Sequence, residues 1–354
     1  MAPLWSFLST EYLLVMGGWI IAGIAAFYWL LKTRQRRRLA GGSLTRIHVA
    51  LGLWFCLAAL TLPELYCAFF SDHTDSFSKT NISRRWFARH VELNDQGFRD
   101  DVPLHRFTAD DRRRLVFVGD SFTFGHGIDD PAERFSNRLA RDLEEIHPGA
   151  WQVNNAGISG WDLREIVKLV NDWMTKGVKV DVLVYVFVLN DIEHFDERTQ
   201  KYYQQLTALE PKWWVLRETY FYNQMYYRVQ ALLRSESIGY YDYLNEAYAG
   251  PPWERFTDKL DELHTLCERN GIELQIVGFP FLHDQKGENP FAGGMNQLGD
   301  YSAERNIPFQ DLTPALAVAE ESLTVNRYDA HPNARANELA AEAMKEGMLA
   351  PLFR

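Results

Sequence analysis

Ser121 sits in the tetrad Gly119-Asp120-Ser121-Phe122, directly after the apolar run Leu115-Val116-Phe117-Val118. A serine on the turn that ends a buried strand projects its hydroxyl into a crevice, with its own N–H pointing the same way. Nucleophile and oxyanion donor then share one residue. A hydroxyl attacks poorly until a base removes its proton, and His331 in Asp329-Ala330-His331-Pro332 is suited to that near neutral pH. Side chains two apart in an extended segment share a side, so Asp329 can fix the imidazole and stabilise its cation. The N–H groups of Ser121 and of Gly157 (in Asn155-Ala156-Gly157), with the side-chain amide of Asn190 (in Leu189-Asn190-Asp191), would face the oxyanion. Together these residues suit covalent attack by the serine at a centre that develops an oxyanion.

Such a set works only if separate elements deliver it to one edge. Short apolar runs predict strands at 114–118, 151–154, 182–189, 272–279 and 307–311, and helical patterns fall between them at 131–146, 161–176, 253–270, 294–306 and 333–347. The third run is apolar on both alternating faces, as a central parallel strand covered on both sides requires. The alternation implies an α/β, doubly wound parallel five-stranded sheet over 114–354. Ser121, Gly157, Asn190 and the Asp329/His331 pair then lie beyond the carboxyl ends of different strands, the edge where open parallel sheets bind ligands. An insertion at about 195–250 is dense in aromatics, among them Tyr202, Tyr203, Trp213, Trp214 and Tyr220. A helical cap on the main core, a sugar-stacking wall and a surface resting on a membrane all fit it.

The first 70 residues differ from the rest. Leu13–Leu31 carries no charge and as a helix spans roughly 28 Å, about the hydrocarbon thickness. A second apolar stretch, Val49–Phe70, is broken only by Pro63-Glu64; Glu64 either lies in hydrocarbon at a cost of about 3 kcal/mol or sits at the outer interface with Leu65–Phe70 along the surface. Residues 1–70 are thus read as a membrane hairpin and 71–113 as a connecting arm without a clear period. The basic loop Lys32–Arg38 between the spans belongs on the cytoplasmic side, which puts the remainder outside. A cleaved leader fits less well, because the charge follows the first apolar run instead of preceding it. The net charge is −10 although residues 1–70 are basic, so the acid excess lies beyond residue 70 and argues against nucleic acid as a partner. Three cysteines are too few for a disulfide framework.

Other motifs carry less. The Gly119…Gly125 spacing is similar to a phosphate loop, but His126-Gly127 replaces the Lys-Ser/Thr it needs. No His, Asp or Glu pair has metal-ligand spacing on a convincing helix, so neither metal nor cofactor is expected. His126 and His283 read as polar loop residues and Asp120 as a hydrogen-bonding residue of the turn.

The four blocks resemble those of the SGNH (GDSL-type) hydrolases, which supply Ser, Gly, Asn and His in that order. The match extends over about 114–347. The resemblance implies a flavodoxin-like sheet, the SGNH hydrolase fold, here preceded by two transmembrane helices. It also implies esterase, lipase, deacetylase or O-acyltransferase activity without metal or organic cofactor. Leu189 stands where the third block usually has glycine, which is expected to narrow the oxyanion pocket. Asp329 lies two residues before the histidine instead of three, an offset that occurs in alginate-acetylation relatives. The arm Asn94-x-x-Gly97-Phe98-Arg99-Asp100 resembles that of bacterial membrane-associated members, some found near surface polysaccharide systems. The expected location is the bacterial inner (cytoplasmic) membrane, with the catalytic domain extracytoplasmic. The expected substrate is an acyl ester, with an acylated polysaccharide or lipid among the candidates. Hydrolysis of that ester, acyl transfer to a surface polysaccharide, and a non-catalytic assembly role with a relict site all remain open.

Overall fold

Val182–Val188 (β3) is buried along its whole length, and the rest of the catalytic region is arranged around it. The computed structural model describes residues 3–101, 112–199, 209–234, 240–282 and 292–354. Tyr202, Tyr203 and His283 lie outside the described residues. The chain divides into two units. One comprises Met1–His73, Phe77–Arg89 and Glu210–Ser235; the other comprises Thr74–Ser76, His90–Leu209 and Glu236–Arg354.

In the second unit, β1 (Arg113–Gly119), β2 (Trp151–Asn155), β3, β4 (Glu273–Phe279) and β5 (Phe309–Asp311) form a parallel five-stranded sheet in the order β2-β1-β3-β4-β5. This is the flavodoxin-like order, whose switch point lies between β1 and β3. Alternation along the strands gives each face its own core. Val116, Val118, Leu183, Tyr185 and Phe187 meet the helices Leu163–Lys176 and Pro251–Arg269. Leu115, Phe117, Val184 and Val186 meet Phe135–Ile146 and Ala334–Glu346 on the other side. With no polar face left to solvent, the strands read as continuous apolar runs.

Three elements are not evident in the sequence pattern. A single helical turn, Ser121–Phe124, follows β1, and a 3-10 segment, Leu189–Phe195, follows β3. After β5 the chain forms a small antiparallel pair, β6 (Thr324–Asn326) and β7 (Asp329–Pro332). Each is too short to show a period.

The first unit contains two apolar helices, Thr10–Leu39 and Thr45–Phe70, both long enough to cross a bilayer. Exposed Leu14, Ile21, Trp29 and Leu62 suit a hydrocarbon environment. Trp54 Nε1 donates to the Gly23 carbonyl at 2.8 Å and its ring stacks on Phe27, which ties the helices together. Glu64 is 1% exposed and buried in protein. Its carboxylate accepts the Tyr12 hydroxyl at 2.7 Å and the N–H groups of Tyr220 and Phe221 at 2.9 and 2.8 Å. The last two belong to the start of helix Phe221–Arg234, whose unpaired N-terminal donors favour an anion.

The arm is also more regular than its sequence suggests, because it contains helix Asn81–His90. From that helix Arg85 donates to the carbonyls of Cys67 and Ser71, at 2.9 and 2.5 Å, and to that of Ala68. A cation thus satisfies the orphan carbonyls at the end of Thr45–Phe70. The aromatic insertion divides between the units. Residues 210–235 belong with the hairpin, whereas Tyr243, Leu244, Ala247 and Tyr248 enter the sheet core.

Candidate active site

The first helical turn after β1 places Ser121 because Asp120 caps it, accepting the Phe122 N–H at 2.9 Å. Gly125 closes the turn with φ at +77°, a left-handed conformation that glycine adopts without a Cβ clash. On β7, Asp329 and His331 are buried while Ala330 between them is exposed, so a short extended segment suffices to put acid and base on one side.

Ser121, His331 and Asp329 are in one hydrogen-bonded chain. Ser121 Oγ lies 2.8 Å from His331 Nε2, and His331 Nδ1 lies 2.5 Å from Asp329 Oδ1. A carboxylate only accepts, so Nδ1 carries the hydrogen and Nε2 presents its lone pair to the serine. The Ser121 hydroxyl also lies 3.3 Å from Asp120 Oδ2, but the shorter contact to His331 is the better path for its proton.

Asp329 is 1% exposed, and burial alone would raise its pKa. Hydrogen bonds from His331 and Thr74, with the charge of His331, more than offset this and hold it at about 2. The Thr74 hydroxyl donates to Oδ2, and the His331 N–H donates to Oδ1 at 3.1 Å.

His126, read from the sequence as a polar loop residue, is 3% exposed and lies flat on His331, with ring centroids 4.0 Å apart and an interplanar angle of 14°. Its Nε2 meets the Asp75 carbonyl at 3.1 Å and faces Asp329 Oδ2 at 3.5 Å. A carbonyl accepts only, so this nitrogen is protonated. Burial, and then the nearby His331, push the His126 pKa down to about 3, so the ring is neutral beside the base. His126, Asp329 and His331 are close enough to be considered as metal ligands. Nearly parallel stacked rings cannot both aim in-plane lone pairs at one ion, however, so the trio fits a hydrogen-bonded acid better than a metal centre.

Gly157 has a structural part besides the donor role expected of it. Its N–H donates to Asn155 Oδ1 at 3.0 Å, and a Cβ here would lie 2.5 Å from Phe124 N and 2.6 Å from Thr123 Cβ. The absent side chain therefore lets this loop press against the Ser121–Phe124 turn. Asn155 braces the same place, donating to the Thr123 carbonyl at 2.6 Å and to Ser136 Oγ at 2.7 Å. Asn190 follows β3, and its buried Oδ1, a hydrogen-bond acceptor, finds no partner among the described residues; the oxyanion role would fall to Nδ2 instead. Leu189 is part of the apolar core, and its carbonyl accepts the Tyr248 hydroxyl at 2.7 Å.

The arm supports both loops. Arg99 donates to the carbonyls of Gly125 and Ile128 at 2.8 and 2.7 Å, fixing the turn that carries His126. Asp100 Oδ2 accepts the Asn155 N–H at 2.9 Å and the Asn154 amide at 3.1 Å at the end of β2. An Arg-Asp pair just before a strand-ending serine motif was the available signal, but residue types alone do not say which carbonyls it reaches.

Residues 117–339 match the GDSL-like Lipase/Acylhydrolase family. The chain belongs to that family. Comparison with curated protein sequences gives no match. Among solved structures it is similar to a two-domain esterase (CEX) active on acetylated mannans, at 15% identity and a TM-score of 0.39, covering 68% of this chain. The chain spans 50% of that esterase. A member of the lipolytic protein G-D-S-L family from Veillonella parvula is 17% identical, with a TM-score of 0.38, over 66% of this chain and 97% of that one. An acetylxylan esterase from Geobacillus stearothermophilus, Axe2, is 15% identical, with a TM-score of 0.40, over 68% and 95%. Membership of this family supports ester-bond hydrolysis as the broad class of activity.

Two outcomes follow from this geometry. Gly157→Ala is expected to push the Ser121–Phe124 turn away from His331 and lower kcat by about 100-fold, since displacements near 1 Å can cost that much. Steady-state kinetics with an unchanged far-ultraviolet dichroism spectrum would establish it. The second concerns His126. Below its ordinary value of 6.5 the unfolded chain takes up a proton that the folded ring refuses until about pH 3, so stability falls as pH drops through that window. His126→Phe keeps a flat face against His331 and should flatten the fall between pH 6.5 and 4. Thermal melts of the two proteins that stay parallel across this range would contradict it.

Proposed function

We propose that this protein is a membrane-anchored serine esterase that removes an acyl group from an extracytoplasmic ester by way of an acyl-enzyme on Ser121. The observation that carries the reading is the unbroken hydrogen-bonded chain from Asp329 through His331 to Ser121. As Ser121 Oγ attacks the carbonyl carbon, its proton passes to His331 Nε2, and Asp329 stabilises the imidazolium. The Ser121 N–H and the Asn190 amide are assigned to the developing oxyanion, with the Gly157 N–H shared between that role and Asn155. Collapse of the tetrahedral adduct breaks the ester bond, and His331 returns the proton to the leaving alcohol. Water then repeats the sequence on the acyl-enzyme, releasing the acid and restoring Ser121. The outward orientation is supported by the basic loop between the two apolar helices, which favours the cytoplasmic side.

The two departures that would favour a relict site are accommodated: Leu189 points into the core, and Asp329 engages the imidazole at its two-residue spacing. That same spacing supports a second reading, O-acyl transfer to a surface polysaccharide, in which a sugar hydroxyl replaces water as the acceptor. An acylated polysaccharide or a lipid ester remains the candidate substrate class.

A fluorophosphonate probe is expected to label the protein at Ser121, with labelling abolished in Ser121→Ala. Asp329→Asn should lower turnover of p-nitrophenyl acetate by about 10⁴-fold, as when the acid of such a triad becomes an amide. Undiminished labelling of Ser121→Ala would end the assignment. To separate the two readings, the enzyme is given p-nitrophenyl acetate with soluble glycans and the products are resolved by mass spectrometry. Free acetate alone supports hydrolysis; acetylated glycan that depends on Ser121 supports transfer.

A further inference from the structure

Thr74, Asp75 and Ser76 follow the second apolar helix, which ends at Phe70, yet they belong to the catalytic unit. They lie along the β6–β7 pair as a short strap. The Ser76 N–H donates to the Tyr328 carbonyl at 3.2 Å, and the Ala330 N–H donates to Ser76 Oγ at 3.1 Å. Asn326 Nδ2 donates to the Thr74 carbonyl at 3.2 Å, and His126 holds the Asp75 carbonyl. These bonds bring the fully buried Thr74 hydroxyl onto Asp329 Oδ2, the oxygen that His331 Nδ1 does not use.

The surroundings are shaped around that hydroxyl. Gly127 has φ at +80°, and a Cβ there would lie 2.9 Å from Thr74 Oγ1 and 2.6 Å from Val325 on β6. Any side chain at 127 would push the strap off the acid.

Resting on the triad assignment above, we infer that Thr74 is a positioning residue of the reaction, acting through Asp329 and delivered by the segment that leaves the second apolar helix. With Oδ2 held by Thr74, the carboxylate plane stays fixed and Oδ1 remains in line with His331 Nδ1. Without the hydroxyl, the carboxylate gains freedom to turn and loses a donor that disperses its charge. The orientation needed for proton transfer is then populated less often, and the less dispersed charge holds the His331 proton more tightly.

The test uses full-length protein in detergent, with p-nitrophenyl acetate turnover measured against pH for wild type, Thr74→Val, Thr74→Ala and Thr74→Ser. Valine is isosteric with threonine and lacks the hydroxyl; serine keeps it. Both hydroxyl-free variants are expected to lose kcat by about tenfold or more, on the scale of one hydrogen bond to a charged group, with KM unchanged. The acid limb of kcat/KM should move to higher pH, and Thr74→Ser should restore both quantities. The other charged or titratable groups near His331 are Asp329 on its own strand, His126 from the turn after Ser121, Asp120 at the end of β1, and Arg99 beside His126. None is altered by these substitutions, so a moved limb reports the Thr74–Asp329 bond. A role in folding alone would lower the thermal midpoint and leave the limb in place, which overturns the inference. So would wild-type kcat and limb in either hydroxyl-free variant, or a loss confined to KM. If wild type itself turns over no ester and takes no fluorophosphonate at Ser121, the triad assignment fails and this inference with it. A labelled, active wild type beside indifferent Thr74 variants removes only the inference.

Discussion

A buried, ionised carboxylate is the constraint around which the catalytic unit is assembled. Removing a carboxylate from water costs several kcal/mol unless hydrogen bonds replace the solvent. Asp329 meets that cost with donors from two separate stretches of chain: the His331 main chain and ring from β7, and the Thr74 hydroxyl from the strap. His126 faces the same carboxylate from the turn after the nucleophile. Because these groups are far apart in sequence, the acid forms in its low-pKa state only when all three segments are in place. The pair that would withdraw a proton from Ser121 is thus a product of the folded unit, not of the Asp-Ala-His tripeptide alone.

A second constraint is close backbone approach. The β2 loop can brace the Ser121 turn only because Gly157 has no side chain, and the strap can reach Asp329 only because Gly127 has none. Asn155 then fills the space between with hydrogen bonds, and Arg99 and Asp100 fix the outer edges of both loops. These are geometric requirements of a rigid platform, and rigidity matters because proton transfer falls steeply with misplacement.

The parallel sheet was legible because burial on both faces leaves uninterrupted apolar runs, of which Val182–Val188 is the clearest. Ser121, Asp329 and His331 were legible because their side-chain chemistry is distinctive, Ser121 directly follows a strand and the Asp-x-His spacing suits an extended segment. What the sequence hid has a common cause: it depends on contacts between distant segments. His126 looks like a loop histidine until its ring is seen on His331, and Thr74 looks like any polar residue beyond an apolar helix. Gly157 was noticed for its N–H, but the close approach that its missing Cβ permits was not visible. Glu64 looked costly within an apolar stretch because its partners, Tyr220 and Phe221, lie far along the chain. The β6–β7 pair escaped notice because strands of three and four residues carry too little pattern to register.

Environment, more than proximity, also explains which aspartate serves the base. Asp120 is adjacent to Ser121 in sequence and lies 3.3 Å from its hydroxyl, so by position it might be taken for the acid. It is fully buried, however, and burial raises its pKa, with the Phe122 N–H and the charge of His331 only partly offsetting this. Asp191, which accepts the Tyr185 hydroxyl at 2.6 Å, is raised further by burial and by Asp120. Asp329 is just as inaccessible, yet its donors bring it to the opposite extreme. Burial thus pushes the pKa of Asp120 and Asp191 up, while the donors around Asp329 bring its own down. An anion is the form that stabilises an imidazolium, and the surroundings favour that form at Asp329 while burial works against it at Asp120, although the cap is nearer to the nucleophile in sequence.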